Sequence, residues 1–313
     1  MPDPTTHNHF VAPVETETIA VDAVRIADKP RNLWRDAWSD LRRRPLFWFS
    51  VVLALFFVLM AAWPTLFTSV DPRACELQYS NDGPAAGHPL GYTFQGCDIY
   101  SRIVWGARTS LSVGLLATAI GSIVGLIMGA LAGFYGGWLD SLLSRIGDIF
   151  FAIPYILAAV VVMTVFSQYR SVPVLALAIG GFAWASTARV VRAEVLRVRQ
   201  ADFVVAARAV GLSKFRILVS HVIPNSLAPL LVVSTLALAA SIVAEATLSF
   251  LGVGLGSTTM SWGNDISAAQ QSLRVAPMAL IYPSIALTLA VLAFVTLGEL
   301  IRDAIDPRAR ARR

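Results

Sequence analysis

Few side chains in this sequence could do covalent chemistry, and none stands where catalysis would need it. The four histidines are His7, His9, His88 and His221, and none is central in an apolar run. An activated nucleophile needs a neighbouring base, and no Gly-x-Ser-x-Gly step occurs. The only lysines, Lys29 and Lys214, follow Asp28 and Ser213, so the Gly-Lys step of a phosphate-binding loop is absent. No catalytic residue and no resident cofactor is expected. No metal is expected either, because His88 is the only soft ligand near Cys75 and Cys97, and a structural site usually takes four. The chemistry left is that of association: a basic segment, ADFVVAARAVGLSKFRILVSHVIPN, at 201–225 between long apolar runs.

The composition says where that segment must sit. The chain is 56% hydrophobic and 14% charged, against about 25% charge in a soluble domain. Its mean hydropathy is +0.64, so it belongs in a bilayer. The net charge of +5 and pI near 9.6 follow from where arginines lie relative to the apolar runs. Aromatic and basic residues are not interleaved on a polar domain, so nucleic acid is not an expected partner. No secretory signal peptide is visible, since the first apolar run starts at Leu46.

Six segments approach the ~20 apolar residues that cross a bilayer: 46–67, 110–135, 149–166, 172–188, 227–251 and 278–300. The expected fold is therefore an all-α integral membrane protein with six transmembrane helices. The third and fourth spans are short and hold Pro154, Gly180 and Gly181, where kinks are expected. Arg42–Arg44, the arginines and lysine of 189–216, and Arg302, Arg308, Arg310, Arg312 and Arg313 fall on one side of that layout. The positive-inside rule makes that side, and both termini, cytosolic.

The organisation expected is a disordered cytosolic tail (1–30), an interfacial amphipathic helix (31–45), a six-span domain (46–307) and a basic tail (308–313). The six-span domain carries outer loops at 68–108 and 252–277 and a cytosolic loop at 189–224 between spans four and five. In the amphipathic helix Trp34, Trp38 and Leu41 recur at i, i+4, i+7, an apolar face suited to the lipid interface.

Span two carries Gly121, Gly125, Gly129, Gly133 and Gly137 at a spacing of four, a row that lets a second helix approach closely. Glu245, near the outer end of span five, is a candidate for the transport pathway, because a charge at membrane depth is expensive and normally faces an interior or water path. Asp148, near a cytosolic end, is expected to pair with Arg145. Cys75 and Cys97 share the first outer loop, on the side where disulfides persist, and are expected to pair. Closing that loop stabilises it by about 3 kcal/mol on loop-closure entropy.

In the cytosolic loop Asp202 is a candidate N-cap and Gly211 a candidate C′ residue. Phe203, Ala206, Ala207 and Val210 fall at i, i+3, i+4, i+7 on one face between them. Ser213 caps a second short helix, expected to end before Pro224. Periodicity leaves two readings open: insertion into a groove of a soluble partner, or a helix lying on anionic lipid.

The loop resembles the "EAA" loop of ABC-importer permeases, with Val205, Ala206, Ala207, Gly211, His221, Ile223 and Pro224 in the motif's places. Val205 replaces the glutamate and His221 the isoleucine. The string AARAVG…HVIPN, the outer segment HPLGYTFQGCDIYSRIVWGARTSL (88–111) and EATLSFLGVG (245–254) followed by Trp262 and Gly263 resemble the dipeptide/oligopeptide/nickel permeases. The preceding amphipathic helix and the large first outer loop resemble the C-type subunit. Where this chain has Tyr92, Thr93 and Cys97, that family usually has Thr-Asp and then Arg. The resemblance implies half of a translocation channel in a bacterial plasma membrane. It implies a homologous B-type permease, two cytosolic ABC ATPases carrying ATP and Mg, and an external substrate-binding protein. Ala206, Ala207 and Gly211, flanked by Phe203 and Arg208 and followed by Pro224, are the expected ATPase-coupling residues. A secondary transporter acting alone is the competing reading, but neither inverted repeats nor midplane charge pairs are evident.

Overall fold

The computed structural model describes residues 33–305. The expected tails, 1–30 and 308–313, lie outside the described residues. Eleven α-helices are described: α1 (Leu33–Leu41), α2 (Pro45–Ala62), α3 (Ile99–Tyr135), α4 (Gly137–Ala152), α5 (Tyr155–Val165), α6 (Val172–Val198), α7 (Asp202–Ala209), α8 (Lys214–Ile217), α9 (Ile223–Phe250), α10 (Trp262–Ala269) and α11 (Met278–Ile305). No named strand occurs among the described residues.

Five helices are long and apolar enough to cross a membrane, counting α8 and α9 as one, and a sixth crossing results if α4 and α5 form a single bent span. The break in that pair falls at Pro154, where a kink is expected. Pro154 has no N–H to continue the α4 ladder, so the chain breaks at Ile153–Pro154 and turns by 80°. Two other spans outrun their expected limits: α3 begins at Ile99, where Asp98 caps it by accepting from Ser101 N at 2.7 Å, and α6 continues to Val198.

The helices bury one stripe each and leave the rest for lipid or partners. On α2 the stripe is Phe47, Ser50, Ala54 and Phe57, while Val52, Leu55, Phe56 and Leu59 are exposed. Polar backbone is satisfied inside each helix, as a bilayer requires. The expected amphipathic helix is present as α1, but Ala37 and Leu41 pack with Phe47, Leu300 and Ala304. Its inner face therefore meets α2 and α11, while Trp38 stays half-exposed. Arg44 ties the turn after α1 to Asp40 at 2.6 Å and to Asp303 at 3.5 Å.

α3 and α6 form the central pair, and the glycine row is the reason they can approach. A Cβ on Gly125 would lie 2.7 Å from Thr187 Cβ, one on Gly129 2.5 Å from Ala188 O, and one on Gly133 2.9 Å from Arg192 O. From the other side, Gly180 of α6 sits against Ala117 O of α3. Gly121 continues the row with ordinary contact to Gly180. Gly137 is a correction. The helix ends at Tyr135, Gly136 and Gly137 turn with φ of +69° and +60°, and Gly137 opens α4 with open space where a Cβ would stand. The register of four outlives the helix that gives it meaning. Asp140, one turn into α4, accepts from Arg192 at 2.5 and 2.7 Å and fixes the bent pair to α6.

Candidate coupling loop and outer clamp

The loop between α6 and α9 is built by packing on one face and leaving another bare. Val204 and Ala207 of α7 are buried with Val195 and Val198 of α6 and Ile217 of α8. Phe203, Val205, Ala206, Arg208 and Val210 are exposed, Val210 at 82%. The expected face thus divides: Ala207 is the inner anchor, and Phe203, Ala206 and Val210 project outward. Asp202 is not the N-cap. That place falls to Ala201, without a side-chain bond, and Asp202 is the first helical residue.

Gly211 does close α7 as expected. Its φ is +86°, Gly211 N donates to Arg208 O at 3.0 Å and Leu212 N to Ala207 O at 3.2 Å, the two bonds of a Schellman turn. Ser213 then caps α8 by accepting from Arg216 N. The second helix does not stop before Pro224. Leu218–Val222 widen into a π-helical turn and the chain runs on into α9, with Pro224 in its first turn, where a missing N–H is tolerated. The proline does not end the helix; the widened turn absorbs it.

Glu245 lies wholly inside the protein. Its Oε2 accepts from Ser110 Oγ of α3 at 2.8 Å and its Oε1 from Ser249 Oγ at 2.9 Å. Ser110 Oγ also accepts from Trp262 N of α10 at 3.3 Å. Trp262, fully buried, donates from Nε1 to Ile103 O at 2.9 Å. One turn on, Asp265 Oδ1 accepts from Arg102 Nε at 2.9 Å. Gly263 lets α10 rest on Ala246, with a Cβ there 2.6 Å from Ala246 Cα. Glu245 therefore belongs to a clamp that fastens α10 onto α3 and α9. Burial pushes the Asp265 carboxyl up from the ordinary range, with Arg102 pulling against it. Nothing in the sequence pairs Arg102 with Asp265 or Ser110 with Glu245. Their signal lay in the family-like strings around them, which give no pairings across more than 130 residues.

The loop between α2 and α3 carries the expected Cys75–Cys97 disulfide. Gly96 sits where Glu76 O would meet any Cβ, and Glu76 N donates to Gly96 O at 3.1 Å. His88 Nδ1 lies 3.0 Å from Asp98 Oδ1, tying the loop to the start of α3. Asp148 pairs with Arg189 at 2.8 Å rather than with Arg145. No group of three or more metal-ligating side chains occurs among the described residues.

The chain matches two family profiles: the N-terminal transmembrane domain of oligopeptide transport permease C over residues 32–84, and the inner membrane component of binding-protein-dependent transport systems over residues 85–311. It is 36% identical to the dipeptide transport system permease protein DppC of Alkalihalophilus pseudofirmus over 278 residues, 89% of this chain and 91% of that one. It is 34% identical to the glutathione transport system permease protein GsiD of Pectobacterium atrosepticum, covering 91% and 95% of the two chains. It is 32% identical to the oligopeptide transport system permease protein OppC of Bacillus subtilis, covering 93% and 95%. Matched almost end to end by permease subunits rather than enzymes, the chain belongs to the inner-membrane permeases of binding-protein-dependent ABC importers, of the dipeptide, oligopeptide and glutathione type.

Proposed function

We propose that this chain forms half of a translocation path for short peptides and takes its drive from a cytosolic ATPase through α7. The supporting observation is the exposed row Phe203, Ala206 and Val210 on a short helix whose other side is locked into the protein by Val204 and Ala207. Apolar side chains held out on a basic, cytosol-side loop match the helix-in-groove mode of docking. Arg208 beside them adds a charge for an acidic rim.

In this reading α4 and α5 together make one crossing, the spans number six, and both termini lie in the cytosol, in keeping with the arginine-rich segments on that side. The outer loops are 68–108 and 252–277. A homologous B-type permease completes the channel. Two ABC ATPases supply the nucleotide site with ATP and Mg, none being held by this chain. An external binding protein delivers substrate to the outer face, where α10 and the disulfide loop stand. Glycines 121, 125, 129 and 133 keep α3 and α6 together as the subunit moves.

The test is purification of the tagged chain from its native membrane in mild detergent, with the co-purifying chains identified. A second permease and P-loop ATPases, lost on Gly211→Asp while the chain still inserts, are the expected result. Recovery of this chain alone, or only with itself, would overturn the reading in favour of a transporter acting by itself.

A further inference from the structure

A cleft of about 770 Å³ opens where the ends of α3 and α6 meet α7 and α8. Arg199 after α6, Arg208 of α7 and Lys214 of α8 line it, and no Asp or Glu does. Three elements thus deliver one cation each to one space. None of the three is in an ion pair among the described residues. Acids in this part of the molecule are engaged elsewhere: Asp140 accepts from two nitrogens of Arg192, and Glu194 is held by Arg197. Arg199 is set in place by Nη1, which donates to Gly133 O at 3.0 Å and Phe134 O at 3.1 Å at the end of α3. Like charges gathered around one space repel, and an anion between them removes that cost. The walls beside the cations are apolar. Phe134 and Ile217 are buried, and Val205 and Tyr135 are about half-exposed. Trp138, 76% exposed, follows three residues on. Exposed aromatic rings at the end of a spanning helix mark the level of lipid headgroups. At 3.6 residues per turn, Val205 and Arg208 fall on the far side of α7 from Phe203, Ala206 and Val210, so the cleft is separate from the docking row.

We infer that this cleft holds the phosphate headgroup of an anionic membrane lipid, with the start of its acyl chains against Tyr135 and Val205. The inference rests on the orientation proposed above, which puts the cleft at the cytosolic leaflet. Basic pockets between spanning helices on that side suit such headgroups. A guanidinium meets two phosphate oxygens at once, and the lysine adds a point charge. A free phosphate would have no use for the apolar walls, whereas a lipid covers them. One bound anion would then tie together the ends of α3 and α6 and the helix α7. That gives the coupling helix an anchor on the membrane side, opposite the face left for the ATPase.

The experiment starts from the purified chain, stripped of lipid in mild detergent and offered phosphatidylglycerol or phosphatidylcholine. Native mass spectrometry counts the lipid retained. Phosphatidylglycerol should be retained and phosphatidylcholine should not. Lys214 is exposed, so its replacement leaves the fold intact. Lys214→Gln should weaken retention about fivefold, and Lys214→Glu by more. Arg216→Gln removes an exposed charge from the same helix but outside the cleft, and should retain lipid as the parent does. Equal weakening by Lys214→Gln and Arg216→Gln would overturn the inference, because a diffuse basic surface would then account for binding. Displacement of phosphatidylglycerol by excess inorganic phosphate would overturn it in favour of a soluble ligand. The same count on the assembled transporter should still find the lipid. Its loss on assembly would overturn the inference in favour of an acidic segment of the ATPase. Retention in detergent is independent of sidedness. The orientation is read separately by labelling Lys214→Cys from one side of sealed vesicles, since both native cysteines are tied in the disulfide.

Discussion

Glu245 of α9 and Ser110 of α3 are 135 residues apart in sequence and 2.8 Å apart in the protein interior, joined by a hydrogen bond that solvent does not reach. With Ser249 and Trp262 the pair makes a closed polar knot between two spans and the outer helix. Such a knot stabilises only while it is complete, because each unsatisfied member costs about 1–3 kcal/mol.

Glu245→Ala should therefore lower the unfolding temperature of the purified protein, with a loss of about 2 kcal/mol or more as both serines lose an acceptor. Glu245→Gln should be milder, since the amide keeps one acceptor and the serine hydroxyls can turn. Thermal unfolding of both variants in one detergent decides it. Equal stability of Glu245→Ala and the parent would sink the clamp.

Removing the guanidinium from α3 tests the other fastening. Arg102→Ala leaves the Asp265 carboxyl buried without its counter-charge, a change that typically costs about 3–5 kcal/mol. Asp265 already titrates above the ordinary carboxylate range, and loss of Arg102 raises it further. An acid whose folded pKa is raised is destabilising once pH exceeds its unfolded value. The Arg102→Ala defect should thus shrink as pH falls through the carboxylate range and grow as it rises. A pH-independent defect in melting experiments would be inconsistent with this.

The glycine row makes a paired prediction. Gly129→Ala puts a methyl 2.5 Å from Ala188 O, so α3 and α6 must part, at about 1–3 kcal/mol. Gly181 faces open space, and Gly181→Ala should be neutral or slightly stabilising on helix propensity. Comparable melting of the two variants would show that the close approach does not matter.

Docking can be separated from folding at the tip of the coupling loop. Val210 is 82% exposed, so Val210→Asp should leave folding and insertion intact while reducing co-purification of the ATPase and uptake together. Gly211→Asp should do the same with some added strain, because its backbone is left-handed at +86°. Normal uptake by Val210→Asp would remove α7 from the drive path.

Mass measurement under non-reducing conditions should find no free thiol, and Cys75→Ser should loosen the outer loop by about 3 kcal/mol. Protease sensitivity of the 68–98 region, with and without reductant, reads this directly. Two free thiols in protein made under oxidising conditions would overturn the pairing.

What the sequence made legible followed from local chemistry. The apolar runs located the spans, Gly211 announced a left-handed turn, and two cysteines in one loop announced their bond. The misreadings share a cause in non-local structure. Glu245 is a pathway candidate on the cost of a charge at membrane depth, and nothing local announces Ser110, its partner on another helix. Gly137 keeps the register of four but follows the end of α3 at Tyr135. Pro224 was taken as a stop, yet the π-helical turn at Leu218–Val222 carries the chain past it. Arg102 and Asp265 gave no local sign of each other at all.

The glycine contact between α3 and α6 has a mechanical meaning. At ~1.5 Å per residue the 37-residue α3 is about 55 Å long, well beyond a hydrocarbon core of about 30 Å. Pressed backbone to backbone against α6, it is a stiff beam reaching from the neighbourhood of α7 to the disulfide-braced loop. A tilt of about 5° imposed at one end displaces the other by about 5 Å over that length. Under the proposed coupling through α7, a small movement there is carried along this beam to its far end as a displacement of atomic size.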